Sequence, residues 1–186
     1  MDRRGFHRMV VGMLGASTLS IDSAASGANM STPEKNSSLL PLAHLQDLLQ
    51  GYLFKDFLPF MDRYVIDHEY GGFLCTVRPN GERVAEDKPI WYQGRGMWVY
   101  SFLYNNFGRD QAYLDVAVKT RKLLEKSRPA DSDEMWPKEL HRDGSAASPP
   151  DHEIYGDIFI AEGLAELSKA TGENAAWDDA KRIVLK

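Results

Sequence analysis

The stretch Asp87-Lys88-Pro89-Ile90-Trp91-Tyr92-Gln93-Gly94-Arg95-Gly96-Met97-Trp98 carries the most chemical information in this chain. Arg95 falls inside a run that is apolar almost all round. A guanidinium taken out of water costs several kcal/mol unless it is paired, so its retention asks for a partner or a use. On a helix, Trp91, Trp98 and Phe102 stand at i−4, i+3 and i+7 from Arg95 and form an aromatic wall around it. Gly94 and Gly96 leave room for close approach. Apolar walls with a few polar groups are the make-up of a small-ligand pocket, and flat aromatic faces suit the C–H surfaces of a sugar. The structural alternative is an Arg95 neutralised by Asp157 or Glu153.

Other residues that could do chemistry are fewer. Tyr155 and Asp157 open a second apolar helix, where lining a cup and making a structural hydrogen bond suit them equally. Glu162 and Glu166 lie four apart, a spacing that is ordinarily solvated or matched to lysines. Asp67 and Glu69 are placed to brace the Gly71-Gly72 turn, and Lys88 to pair with an acid at the rim. The histidines are His7, His44, His68, His141 and His152; of these only His152, at the start of an inner helix, could border a cup, and an exposed helix-start residue is its alternative reading. Cys75 is the only cysteine, which excludes an internal disulfide and reads as a small buried hydrophobe.

The elements that must position these groups are helices. Leu42, Leu45, Leu48, Leu49, Tyr52 and Leu53 predict a first helix from about residue 42 to 64, kinked or ended early by Pro59. Phe73 to Val77 and Glu82 to Val84 flank Pro79-Asn80-Gly81, a hairpin signal. A second helix, about 90–107, is apolar on every side and should be buried on every side. A third, about 111–127, has one stripe. A loop over 131–151 contains an Asp143-Gly144 turn. A fourth helix, about 152–170, is again apolar and ends at Gly172; a fifth begins near Glu173. The order outer, inner, outer, inner, outer predicts an all-α fold of stacked helical hairpins. Inner helices need neighbours on both flanks, and five helices supply too few. The expectation is therefore an incomplete part of a larger toroid, or a chain that pairs with another.

The 186 residues, 43% hydrophobic, suffice for one domain over 42–186. A net charge of −5 disfavours nucleic acid as a partner. No apolar run is long enough to span a membrane. Residues 1–28 have a charged start, a short mildly apolar stretch and a small-residue zone ending near Ala28. Arg3-Arg4 with Phe6 resembles a twin-arginine signal, with His7 and Arg8 departing from its usual continuation. Export to the periplasm or beyond is the expectation, with residues 29–41 as a linker.

Asp67-x-Glu69-x-Gly71-Gly72-Phe73, the Asn80-Gly81 hairpin, Lys88, and Gln93-Gly94-Arg95-x-x-Trp98 together resemble the N-acylglucosamine 2-epimerase family. Residues 154–164, from Ile154 to Leu164, are similar to that family's second inner helix. The resemblance implies an (α/α)₆ toroid, of which this chain is the N-terminal portion. It implies interconversion of a sugar at C2 through an enediol(ate), with no metal or cofactor. Arg95 takes the catalytic place, supplying positive charge where oxyanion charge develops. Trp91, Gln93, Trp98, Tyr155 and Asp157 become the substrate-binding set. The family's acid/base histidines are expected beyond Lys186, so the full-length form is expected to be the active one, and a homodimer of that form is among the implications. Relatives act on N-acetylated amino sugars, free hexoses or β-1,4-linked disaccharides. Two alternatives stay open: a glycoside or unsaturated-uronide hydrolase on the same toroid, which needs paired carboxylates, and a non-catalytic sugar-binding fragment.

Overall fold

The computed structural model describes residues 41–131 and 133–185. The expected signal at 1–28 and, apart from Pro41, the linker lie outside the described residues.

Helix α1 is a continuous helical run, Leu42–Gly51, Tyr52–Phe57, Leu58–Phe60 and Met61–Val65, in which the second and fourth segments are π-helical. Pro59 does not end this helix early, since the run continues to Val65. A proline inside a helix removes one N–H and presses its ring on the carbonyl four residues back. Here it sits between two widened turns, marked by i→i+5 bonds from Leu58 N–H to Leu53 O and from Ile66 N–H to Met61 O.

After α1 the chain turns at Gly71 and Gly72, both left-handed at φ +84° and +75°, so Gly72 O can accept from Asp67 N–H at 2.9 Å. The Asn80-Gly81 hairpin forms as read, with Val77 bridged to Arg83. Strand β1, Lys88–Pro89, then pairs antiparallel with β2, Glu139–Leu140. Helix α2 covers Ile90–Asn106 and α3 covers Gln111–Glu125, the latter capped by the Asp110 carboxylate on Ala112 N–H at 3.0 Å. Helix α4, Tyr155–Thr171, starts three residues later than its apolar pattern predicts. The Asp151 carboxylate holds His152 N–H and Glu153 N–H in a preceding turn instead. Gly172, at φ +76°, ends α4, and α5 follows as Asn174–Val184.

The inner pair is α2 and α4, packed side by side, with α3 against α2 and α5 against α4. Their contacts advance in the same direction along both helices. Ile90 meets Gly156, Gly94 meets Phe159 and Ile160, Met97 meets Gly163, and Asn105 Nδ2 donates to Glu166 Oε1 at 2.8 Å. The two inner helices are therefore parallel, as successive hairpins of a toroid require. A Cβ on Gly94 would lie 2.5 Å from Phe159 C and Ile160 N, so glycine permits backbone contact here. The room left by Gly94 and Gly96 is thus taken by α4 and by the ring of Phe73, not by a ligand. Met97, Leu103, Leu123, Ile160, Leu164 and Leu167 fill the core between the layers. No helix of the described residues is long and apolar enough to cross a membrane.

Candidate functional site

Helix α2 is not buried on every side. Ile90, Gln93, Gly94, Met97, Tyr100 and Leu103 face protein, while Arg95, Trp98 and Phe102 are exposed and Trp91 is half-buried. Positions 91, 95, 98 and 102 form one helical stripe. Three sides of α2 are covered by α1, α3 and α4 or their loops, and the fourth is open. Arg95 was expected dry; it stands on that open side.

Helix α4 extends the face. Trp91 lies 6.3 Å from Tyr155 and 6.2 Å from Phe159, ring centre to ring centre, and Tyr155 and Phe159 meet edge to face at 5.0 Å. On the other side of Arg95, Trp98 stacks on Phe102 at 5.1 Å, with ring planes 17° apart. Arg95 sits over the Phe159 ring, with Cζ 5.7 Å from its centre. Among the described residues Arg95 has neither a hydrogen bond nor an ion pair, so the Asp157 or Glu153 partnership does not form. The face therefore offers a cation with available donors between two groups of rings.

Trp91, Trp98 and Tyr155 of the expected substrate-binding set lie on this face. Gln93 and Asp157 do not. Gln93 is fully buried: its Oε1 accepts from Phe73 N–H at 2.7 Å, and its Nε2 donates to Phe73 O at 3.0 Å and Pro89 O at 3.2 Å. It replaces a missing strand partner for Phe73, so its amide is unavailable to a ligand. Asp157 is 1% exposed and accepts from Trp136 N–H at 3.0 Å, tying the 131–151 loop to α4. Both lie on the opposite side of their helix from the open stripe, about 200° on from Trp91 and Tyr155.

The charge that really is taken out of water belongs to Lys88, which has no exposed surface. Its Nζ donates to Asp67 Oδ2 at 3.0 Å, Gly71 O at 2.7 Å and Arg142 O at 2.6 Å. Arg142 Nε also reaches Asp67 Oδ2, at 2.9 Å, and its Nη2 reaches Glu69 at 3.0 Å. Burial pushes the Asp67 carboxyl up, but the bonds from Arg142, Lys88 and the Tyr70 N–H outweigh it and hold the group down at about 2. Burial pulls Lys88 below its ordinary value against the pull of Asp67. Asp67 and Lys88 were legible as a brace and a rim ion pair; Arg142, 75 residues from Asp67 in sequence, was not. Burial drives the Cys75 thiol up to about 12, which removes it as a nucleophile.

His68, His141 and His152 do not join the face. His68 Nε2 lies 2.9 Å from Asp62 O and 3.2 Å from the Asp62 carboxylate, and His141 faces Asp87 at 3.8 Å in the loops. His152 is exposed ahead of α4. Among the described residues no three His, Cys, Asp or Glu side chains gather as a metal site.

Parallel inner helices backed by outer ones, with rings and a cation on the inner open side, define a protein of the helical-toroid class. The sequence profile described as N-acylglucosamine 2-epimerase (GlcNAc 2-epimerase) matches residues 71–185, and the chain belongs to that family. The N-acylglucosamine 2-epimerases of Homo sapiens and Mus musculus are each 33% identical to it over 110 residues, 58% of this chain and 26% of theirs. The chain thus spans about a quarter of the length of these curated relatives. Among solved structures, cellobiose 2-epimerase from Spirochaeta thermophila DSM 6192 superposes with a TM-score of 0.67 at 23% identity, covering 76% of this chain and 35% of that one. Cellobiose 2-epimerase from Bacillus thermoamylovorans B4167 gives 0.69 at 21% identity, covering 77% and 37%. This likeness is one of fold, and it identifies the stacked hairpins as part of an (α/α)₆ toroid.

Proposed function

We propose that this chain forms part of a sugar 2-epimerase or isomerase, in which the open face of α2 and α4 is one wall of the substrate cup. The observation that carries this reading is Arg95, a cation without an ionic partner among the described residues, set between Trp91 and Trp98. A proton beside a sugar carbonyl becomes removable only if the oxyanion that forms is stabilised. A fixed guanidinium supplies that charge, and the rings hold the apolar face of the sugar. Proton removal and return at C2 need an acid/base group. The described histidines do not supply it, so in this reading it comes from elsewhere in a longer protein. The family membership and the names of the relatives support the reaction class; which sugar is turned over is left to a substrate panel.

The hydrolase alternative loses support. It needs carboxylates across a cleft, and Asp157, its best nominee, is buried against Trp136. Deuterium incorporation at C2, followed by NMR in heavy water over N-acetylglucosamine, mannose, glucose and cellobiose, tests the reading. Both the 186-residue chain and the longer reading frame should be assayed. Exchange that requires Arg95 supports it, whereas exchange that survives Arg95→Ala overturns it. Export through the segment 1–28 belongs to the same proposal. Periplasmic recovery of the protein that is lost on replacing Arg3 and Arg4 with lysine is the expected result, and unchanged recovery would refute it.

A further inference from the structure

We infer that Phe159 is the positioning residue for Arg95, holding the guanidinium by its ring so that the N–H donors stay available to the ligand; this rests on the sugar-site reading above. An arginine on a helix surface is ordinarily steadied by a carboxylate. Such a partner would occupy two donors and cancel the charge that oxyanion stabilisation requires. No described carboxylate bonds to Arg95, and Asp157, its expected partner, is turned inward onto Trp136 N–H. The recorded contact of its guanidinium is the Phe159 ring, at 5.7 Å. A ring attracts a cation through its face without the paired N–H to O bonds that a carboxylate takes.

The ring is itself held in place. Tyr155 meets it edge to face at 5.0 Å, and Trp91 lies 6.2 Å away. Its backbone is pressed against Gly94, the residue just before Arg95. Phe159 is only half-buried, so core filling alone does not account for a large ring here.

The test uses the ¹⁵N-labelled 186-residue chain. The Arg95 Nε–H resonance is identified by its absence in Arg95→Lys. In the wild-type chain it should be moved upfield by the ring current of Phe159; Phe159→Tyr should keep that shift and Phe159→Leu should lose it. N-acetylglucosamine and mannose are then titrated separately. Phe159→Leu should bind about five-fold more weakly than wild type, and Phe159→Tyr should stay within about two-fold. An unshifted Arg95 resonance in the wild type overturns the inference. So does Phe159→Leu binding with wild-type affinity. A shifted resonance that responds to neither sugar upholds the ring–guanidinium contact and overturns the sugar-site reading.

Discussion

Lys88 and Asp67 meet at 3.0 Å with neither side chain reaching solvent, and this ion pair ties the turn after α1 to β1. Removing Lys88 leaves the buried Asp67 with only Arg142 to offset its charge and strips Gly71 O and Arg142 O of their donor. Lys88→Ala should therefore destabilise the fold by about 3–5 kcal/mol, read as a lowered urea midpoint. A loss under about 1 kcal/mol would show that water reaches the pair.

The same carboxylate sets an acid limit. Its folded value of about 2 lies below the ordinary 3.8, so the folded state holds fewer protons between those values. Asp67 thus contributes stability that is complete above about pH 4 and is lost as pH falls through about 2, worth roughly 2 kcal/mol in full. Asp67→Asn should flatten the acid limb of a stability-versus-pH curve by that amount. An unchanged limb would place the acid sensitivity elsewhere.

Arg95 is exposed, so its role in ligand binding separates from any role in stability. Arg95→Ala should leave the melting temperature nearly unchanged, within about 0.5 kcal/mol. The same variant should cut C2 proton exchange by about 100- to 1000-fold in a catalytically competent form of the protein. A large fall in melting temperature would mean the guanidinium holds structure instead.

Gln93 should behave in the opposite sense. Gln93→Leu strips Phe73 N–H and Phe73 O of their partners, and each buried orphan costs about 1–3 kcal/mol. Thermal melting should reveal this loss, while sugar affinity of the folded fraction, followed by tryptophan fluorescence, should hold. Weakened binding at unchanged stability would return Gln93 to the substrate.

Glycines divide the same way. Gly94→Ala pushes a methyl into the α4 backbone and should cost about 1–3 kcal/mol in urea unfolding. Gly51→Ala meets nothing within 4 Å at the end of a helical segment and should gain up to about 1 kcal/mol. Equal effects at both positions would deny the helix contact.

The helices were legible because their apolar periods are long and their stops explicit: Gly172 closes α4, and Asn80-Gly81 turns the hairpin. The Gly-Gly brace was legible for the same reason, since Asp67 works on Glu69 and Tyr70 close by in sequence. What sequence periodicity missed is which way a doubly apolar helix turns its last side. Exposed Trp98 and buried Met97 are neighbours of similar hydrophobicity, and only the packing partner distinguishes them. Gln93 and Asp157 were misplaced for that reason, each being polar but on the opposite side of its helix from the open face. Arg142 was invisible because its partners lie across the fold.

The close seam of Gly94, Gly156 and Gly163, filled only by the Ile90 and Met97 side chains, makes α2 and α4 behave as a single plate. Any displacement of α5 that drags α4 is handed on undamped to the stripe bearing Arg95. Bulk added at Gly163, inside the seam against Gly94 O, would therefore tilt the guanidinium without touching it.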